Sequence, residues 1–282
     1  MATYYIATTG NDTTGNGSSG NPWATISKAH TSASSGDTII CKDGTYTWVS
    51  QTFTKSLTIQ AQNNGLAIFD GAAASVNWTV NTIITLSIVG IVFQNSILSV
   101  ADNGFFQAGG NTSVLTISNC TFKPSLKLPA SSAYANYFYA NSYSFALTLT
   151  NCLFEDLHST GGAAANGGLI GTQNSAVVTV TLTNCVLGLL TATALLQLIA
   201  AIGTGSVTLT LKNCIVYNAT GSTVNWKTNS VTTTATYSDF YSITSAPTGT
   251  GVITSDPLFV DAAAGNFRLR PTSPCLNTGV AV

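Results

Sequence analysis

The charged residues of this chain are few, and they cluster once, at Glu155, Asp156 and His158. In this cluster His158 could act as a general base that Asp156 orients. The same side chains, with Asp102 in addition, could instead hold a metal ion. The simpler interpretation is a surface ion pair between Lys123 and Glu155, which occupy equivalent positions in two consecutive repeats of the sequence. These three residues are weak catalytic candidates, and we expect neither a metal site nor a cofactor.

Carbohydrate binding by aromatic rings is the second candidate chemistry. Rings that point outward in a file over a sheet can pack against the C–H face of a sugar. Strict alternation would place Phe138 inside, with Tyr137 and Tyr139 outside. The competing interpretation is that such rings pack in the core or at an interface between subunits. The residues expected to form this platform are Trp78, Phe105, Tyr137, Tyr139 and Trp226.

Threonine supplies a third regular surface. Evenly spaced hydroxyl and methyl groups on a flat face could order water, as ice-binding surfaces do. The plainer interpretation is that threonine is a good exposed strand residue that avoids charge repulsion between stacked coils. The outward threonines are expected at Thr58, Thr116, Thr148, Thr150, Thr179, Thr181, Thr183, Thr208 and Thr210.

All three candidates depend on a repeated scaffold. The octet LTLTNCLF (147–154) returns as VTLTNCVL (180–187) and as LTLKNCIV (209–216). Alternation within each copy is typical of a strand with one buried face, and a period of about 30 residues indicates a solenoid. The second apolar letter marks each repeat, at steps of 26 to 33 residues: Ile59, Ile88, Ile117, Leu149, Leu182, Leu211 and, less closely, Tyr237.

One strand in about 30 residues leaves room for two more, so we expect about seven coils of three strands each. The asparagine of the octet should turn the corner between the second and third strands, and stacked amides should form a ladder. The cysteine that follows should be a buried, reduced thiol, because in-register side chains disfavour a disulfide. The ladder residues are Asn119, Asn151, Asn184 and Asn213, followed by Cys120, Cys152, Cys185 and Cys214.

Composition excludes several classes of protein. Of the 282 residues, 45% are hydrophobic and 7% are charged, and the formal net charge is −1. The apolar content is too high for a disordered chain, and no basic patch offers itself to nucleic acid. No segment has the 18 or so apolar residues of a membrane-spanning helix, and the first residues lack the pattern of a secretory signal.

Both ends of the chain resemble right-handed parallel β-helix proteins of the pectin-lyase-like superfamily, of the kind found in phage virions and surface proteins. The resemblance rests on NPWATIS, SGDTI and DGTY near the start and on DPLFVDAAAGNFRLRPTSPCLNTG near the end. It implies an all-β, single-domain right-handed parallel β-helix. Residues 1–50 would form a first strand and a short capping helix over 23–34, residues 51–245 the coils, and residues 246–282 a capping segment.

Enzymes of this superfamily place carboxylates, or a lysine or arginine base, on the face of the first strands. In this chain the predicted first strands contain no Asp or Glu, and Lys227 is their only charged residue. We therefore expect a non-catalytic structural or recognition rod. By resemblance it would be a phage spike, fibre or decoration protein that assembles in the host cytoplasm and binds neutral cell-surface glycans.

The partners expected for such a rod are other virion proteins and a homotrimer, with neither nucleic acid nor membrane. Two alternatives remain open. One is a polysaccharide lyase or glycoside hydrolase with a site in loops or between subunits. The other is a secreted adhesin or an ice-binding protein.

Overall fold

Alternating threonine and apolar residues give each repeat a strand with one inward and one outward face. The computed structural model of the protein describes residues 1–98, 104–124, 127–128, 136–159, 168–189, 196–201, 203–219, 224–227 and 230–281. Within these residues the chain folds as a right-handed parallel β-helix with three parallel sheets. Each coil passes in turn through the first-strand, second-strand and third-strand sheets.

Within each of these sheets the strands lie side by side in chain order. The first-strand sheet contains Gln51–Phe53, Trp78–Val80, Gly104–Ala108, Asn136–Asn141, Ile170–Gln173, Leu196–Ala201 and Val224–Lys227. The second-strand sheet contains Thr3–Ile6, Thr38–Cys41, Leu57–Ala61, Thr85–Val89, Ser113–Ser118, Phe145–Thr150, Val177–Thr183, Ser206–Lys212 and Val231–Thr236. The third-strand sheet contains Gly44–Thr47, Ala67–Ala74, Ile91–Ser96, Thr121–Phe122, Leu153–Phe154, Val186–Leu189, Ile215–Asn218 and Asp239–Tyr241.

The repeat markers pair directly with one another in the second-strand sheet. Ile117 lies beside Ile88, and the same register runs along the sheet to Leu211. In the last coil, however, Leu211 pairs with Ala235. The expected marker Tyr237 is therefore wrong, because it lies two residues further on, at the corner position that asparagine occupies in earlier coils.

Phenylalanines fill one inward file of the third-strand sheet. The ring centroids of Phe93 and Phe122 are 5.4 Å apart, and those of Phe122 and Phe154 are 4.2 Å apart with nearly parallel planes. All three side chains are at most 1% exposed. Burying a side chain of this size contributes about 1.5–3 kcal/mol. A slip of one residue would turn the whole file outward, so these rings fix the register.

The asparagine ladder forms at the corner between the second and third strands. Asn119, Asn151, Asn184 and Asn213 all have left-handed backbone angles, with φ of 53° to 54°. The amide nitrogens of Asn151, Asn184 and Asn213 each donate to the asparagine amide oxygen one coil earlier, at 3.1 to 3.2 Å. Burial raises the pKa of the Cys120 thiol to about 12. The cysteines that follow the ladder are buried and unbridged: Cys120, Cys152, Cys185 and Cys214.

A helix of about two turns, Ile26–Ser32, covers the N-terminal end, and it is shorter than the predicted 23–34. Thr25 caps it by accepting a hydrogen bond from the Lys28 N–H at 3.1 Å. No helix among the described residues is long and apolar enough to span a membrane. Ile26 and Ala29 of the helix are buried, and so is Ala33 directly after it.

Lys55 fastens this helix to the coils. Its ammonium donates to the carbonyl oxygens of His30, Thr31 and Ala33 at 2.6 to 3.0 Å, which satisfies the C-terminal end of the helix. The Thr54 N–H donates to His30 Nε2 at 3.2 Å. Burial and then the charge of Lys55 hold the pKa of His30 below its ordinary value.

Residues 244–253 follow the last coil through backbone hydrogen bonds. Further along the predicted capping segment, Phe259–Asp261 and Asn266–Leu269 form a hairpin around a short 3₁₀ turn at Ala262–Ala264, and this hairpin lies on the outer side of the third-strand sheet. We call it the C-terminal hairpin.

Candidate functional site

The aromatic residues predicted to form an outward platform are buried, so the predicted orientation is wrong. The exposed fraction is 0% for Trp78 and Phe105, 1% for Tyr137 and Trp226, and 3% for Tyr139. The indole N–H of Trp78 donates to the Val49 carbonyl at 3.1 Å, and that of Trp226 to Thr233 Oγ1 at 3.0 Å. Rings without an exposed face cannot stack on a sugar.

Alternation fails at the corner where the chain enters the first-strand sheet, because two consecutive residues there point into the core. The centroid of the Tyr137 ring lies 5.6 Å from that of Phe154, and the Tyr137 hydroxyl donates to the Asp156 carbonyl at 3.2 Å. A period of two describes the body of a strand and does not hold at this corner. The buried pairs are Phe105 with Phe106, Tyr137 with Phe138, Leu169 with Ile170, and Leu198 with Ile199.

Tyr139 does occupy an outward register position, beside Gln107. It is nevertheless buried, and its hydroxyl donates to Gln173 Oε1 at 2.6 Å. One coil earlier, Gln107 Nε2 donates to Thr79 Oγ1 at 2.8 Å. These outward groups of the first-strand sheet are hydroxyls and amides that hydrogen-bond between coils.

The predicted ion pair between coils is present, and it joins a lysine whose side chain is 40% exposed to a buried carboxylate. Lys123 Nζ lies 2.5 Å from Glu155 Oε1, and the Glu155 side chain is only 7% exposed. The C-terminal hairpin covers it, since Gly265 lies beside its carboxylate. Asp156 is also buried. Of the third catalytic candidate, His158, the structure describes only the backbone, which pairs with Lys127.

Metal binding has little support in the described part of the chain. Those residues contain no group of three or more His, Cys, Asp or Glu side chains that could hold a metal ion. Asp102 lies outside the described residues.

A continuous outward file on the third-strand sheet brings together polar, charged and aromatic groups, and we call it the third-sheet stripe. It follows the phenylalanine file by one residue in each coil, so its members stack about 4.8 Å apart. In order along the rod they are Asp70, Gln94, Lys123, Glu155, Gly188, Tyr217 and Tyr241.

At the polar end of the stripe, the Asp70 carboxylate is fixed by hydrogen bonds. Asp70 Oδ2 accepts hydrogen bonds from Gln94 Nε2 and Asn95 Nδ2, both at 2.8 Å. Burial raises the pKa of Asp70, but the hydrogen bonds from Gln94, Ala72 and Asn95 outweigh it and hold that pKa below its ordinary value. Three strand spacings separate Asp70 from Glu155, about 14 Å. This exceeds the separation of roughly 5 to 9.5 Å between the two carboxyl groups of a glycoside hydrolase.

The aromatic end of the stripe is a stacked tyrosine pair. The rings of Tyr217 and Tyr241 have centroids 5.5 Å apart and planes 15° apart, and both side chains are partly exposed. Phe259 of the C-terminal hairpin packs edge-on against Tyr217, with centroids 5.2 Å apart. Burial, and then the charge of Asp256, raise the pKa of Tyr217. A partly exposed, rigidly held pair of rings beside a carboxylate can bind an amphipathic ligand such as a sugar.

Sequence reasoning misses this pair because it looks for rings on the first strands. The signal is present in the repeat, since Tyr217 lies three residues after the octet cysteine, where Lys123 and Glu155 lie in earlier coils. Asp256 serves as a turn residue as well, since its carboxylate accepts from the Leu258 N–H at 2.9 Å.

The chain is thus a parallel β-helix with an aromatic pair on its third face. It matches no family model and no curated protein. Among solved structures it is similar to a rhamnogalacturonan lyase, with 15% identity, a TM-score of 0.43, and coverage of 84% of this chain and 74% of the lyase. It is also similar to the pectate lyase Pel9A, with 18% identity, a TM-score of 0.41, and coverage of 100% and 92%. A PL6 family alginate lyase, AlyGC, matches with 15% identity, a TM-score of 0.38, and coverage of 83% and 40%. These similarities concern the fold and carry no argument about activity.

Proposed function

We propose that this protein is a glycan-recognition β-helix whose binding surface is the Tyr217–Tyr241 pair. The observation that supports the proposal is the stacking of these two partly exposed rings, 5.5 Å between centroids, at one end of an otherwise polar stripe. Stacking restricts the two tyrosine side chains before a ligand binds. A sugar that packs on Tyr241, the outer ring, therefore causes little further loss of side-chain entropy. Asp256, which is exposed beside the pair, offers an acceptor for sugar hydroxyls.

The C-terminal hairpin limits how far a glycan chain can extend. It covers Glu155 and brings Phe267 against Gly188, so the aromatic end is separated from the polar end around Asp70. We therefore expect a short binding site of one or two sugar units at Tyr241, and a neutral ligand, because Asp256 would repel a uronate.

The test is binding of a panel of neutral and acidic polysaccharides by the whole protein, measured by calorimetry. Tyr241→Ala should weaken binding about tenfold, the equivalent of 1.4 kcal/mol, whereas Tyr241→Phe should retain it. Tyr143→Ala is the matched control, because Tyr143 is 39% exposed on a distant turn. Binding that survives Tyr241→Ala unchanged would refute the assignment of this site.

A polysaccharide lyase is the second candidate, and it is the activity named for the solved structures above. On the described part of the stripe Lys123 is the basic group, and its partner Glu155 holds the ammonium. The same panel tests this candidate through the absorbance of unsaturated uronates. If the unmodified protein turns over a polysaccharide and Lys123→Met does not, the protein is a lyase and the recognition proposal is wrong.

Ice binding is favoured by a separate observation on the second-strand sheet. On neighbouring strands, Thr179 lies beside Thr208 and Thr181 beside Thr210. The next strand continues the two rows with Thr232 and Thr234. The result is a regular array of hydroxyl and methyl groups. Thermal hysteresis that disappears in Thr181→Lys would support this role. A solution of the unmodified protein without thermal hysteresis would exclude ice binding.

The proposals that the rod belongs to a phage virion, that it contacts other virion proteins and that it forms a homotrimer concern its setting and not this site. Detecting the chain in purified virions and measuring its mass in solution by light scattering would test them. A monomer absent from virions would contradict all three.

A further inference from the structure

The outer face of the last coil contains a buried carboxylate that the proposed glycan site does not use. Asp239 begins the final strand of the third-strand sheet and is 2% exposed. Its Oδ2 accepts a hydrogen bond from Cys275 Sγ, which lies 3.2 Å away on the C-terminal segment. Its Oδ1 is buried and has no hydrogen-bond partner. A buried acceptor in this state destabilises the fold, more so if it is charged, unless a ligand satisfies it.

A half-open cavity of about 180 Å³ lies beside this carboxylate. Its lining includes the aliphatic residues Ile215, Ile253 and Leu269, together with Tyr237 and the polar residues Asn213 and Thr278. The cavity therefore has room for a small organic molecule, with an apolar body against the walls and one polar group at the carboxylate.

The electrostatics around Asp239 are negative. Burial raises its pKa to about 6 and the charge of Asp256 adds to this rise, while Cys275 and the backbone N–H groups of Phe240 and Ser255 lower it. Burial and then Asp239 itself raise the pKa of Cys275 to about 12, so that at neutral pH this thiol is an uncharged donor. Two cations of the C-terminal end are engaged elsewhere: Lys212 donates to the Ala281 carbonyl at 2.8 Å, and Arg270 to the Val260 carbonyl at 2.9 Å. A bound cation would offset the buried charge.

From these observations we infer that the cavity binds a primary ammonium group, which pairs with the Asp239 carboxylate while its apolar body packs against Tyr237 and the aliphatic residues of the lining. A metal ion fits less well, since the described residues offer no cluster of three metal-binding side chains. The ammonium could come from an amino sugar or from an alkylamine, and the two sources share this chemistry.

Calorimetry on the full chain carrying Tyr241→Ala, which removes the proposed glycan site, tests the inference with four ligands at pH 7.5, where Asp239 is ionised. Glucosamine and 1,4-diaminobutane carry ammonium groups, whereas N-acetylglucosamine and glucose do not. At least one amine should bind, with the neutral sugars at least tenfold weaker. Binding of glucosamine alone would identify an amino sugar, and binding of the diamine alone an alkylamine. No binding of either amine, or equal binding of the neutral sugars, would overturn the inference.

Two further measurements separate the site from a fault in folding. Asp239→Asn keeps the shape of the side chain but removes its charge, and it should weaken amine binding at least tenfold. In the unmodified protein, amine binding should fall between pH 7.5 and pH 5, because Asp239 becomes protonated below its pKa of about 6. Binding that is equal at both pH values sinks the proposal even if the variant fails to fold. Tyr241 does not line this cavity, so the amine readout is independent of the glycan readout.

Discussion

Replacing Asn184 tests whether the asparagine ladder stabilises the rod through its side chains, its backbone conformation, or both. Asn184 donates to Asn151 at 3.1 Å and accepts from Asn213 at 3.1 Å, so its removal breaks two ladder bonds. At about 1 kcal/mol net for each bond, the loss is about 2 kcal/mol. Its φ is 54°, where an alanine costs about 1–2 kcal/mol but glycine does not. We expect Asn184→Gly to cost about 2 kcal/mol and Asn184→Ala about 3 kcal/mol.

Equilibrium unfolding in urea measures both variants, with Thr183→Ala as the control. Thr183 precedes Asn184 on the outward face, and its removal should change the free energy of unfolding by no more than about 0.5 kcal/mol. If the glycine variant is as stable as the original, the ladder bonds contribute nothing. If alanine and glycine cost the same, the left-handed corner does not explain the choice of asparagine.

Three other changes probe the cap and the turns. Lys55→Met removes three hydrogen bonds to the end of the cap helix and should cost about 3 kcal/mol, with faster hydrogen exchange in residues 26–32. Unchanged exchange would contradict this. The lowered pKa of His30 means that its contribution is complete above the ordinary value of 6.5 and is lost as the pH falls through the lowered value. The urea midpoint should therefore drop less on acidification in His30→Gln, and an equal drop would exclude His30 as the cause. Ile83 is 78% exposed with φ of 58°, so Ile83→Asn should gain about 1 kcal/mol, while Val177→Asn, on an exposed strand, should gain nothing.

The fold could be predicted from the sequence because the repeat fixes the register. A marker such as Ile117 stacks on its equivalent in each neighbouring coil, and once this is known the ladder corner follows two residues later. The marker fails in the last coil because Ala235 is too small to stand out as the apolar letter, and the larger Tyr237 nearby matches the pattern better.

The candidate site could be predicted much less well. Alternation that starts with the strand places Tyr137 outside, whereas the corner turns two consecutive residues inward. The burial of Glu155 depends on the C-terminal hairpin, which comes from a part of the chain about 110 residues away and follows no repeat. Contacts of this kind are set by tertiary packing, so neither periodicity nor composition contains them.

The two ends of the asparagine ladder explain why the stack of amides stops without leaving an open edge. At the C-terminal end Asn213 Nδ2 donates to the Val280 carbonyl at 2.7 Å, and its Oδ1 accepts from the Val280 N–H at 3.0 Å. The backbone of Val280 therefore makes the hydrogen bonds to Asn213 that a further asparagine in the ladder would make. At the other end Gly90 occupies the corner, with φ of 73°, and the Asn64 side-chain oxygen fills the space where a side chain would begin. An unpaired ladder would invite pairing with a second rod, because exposed strand ends and edges are templates for association. The chain after the last coil therefore covers the side of the rod. Val280 contacts the ladder, and the C-terminal hairpin contacts the third-sheet stripe.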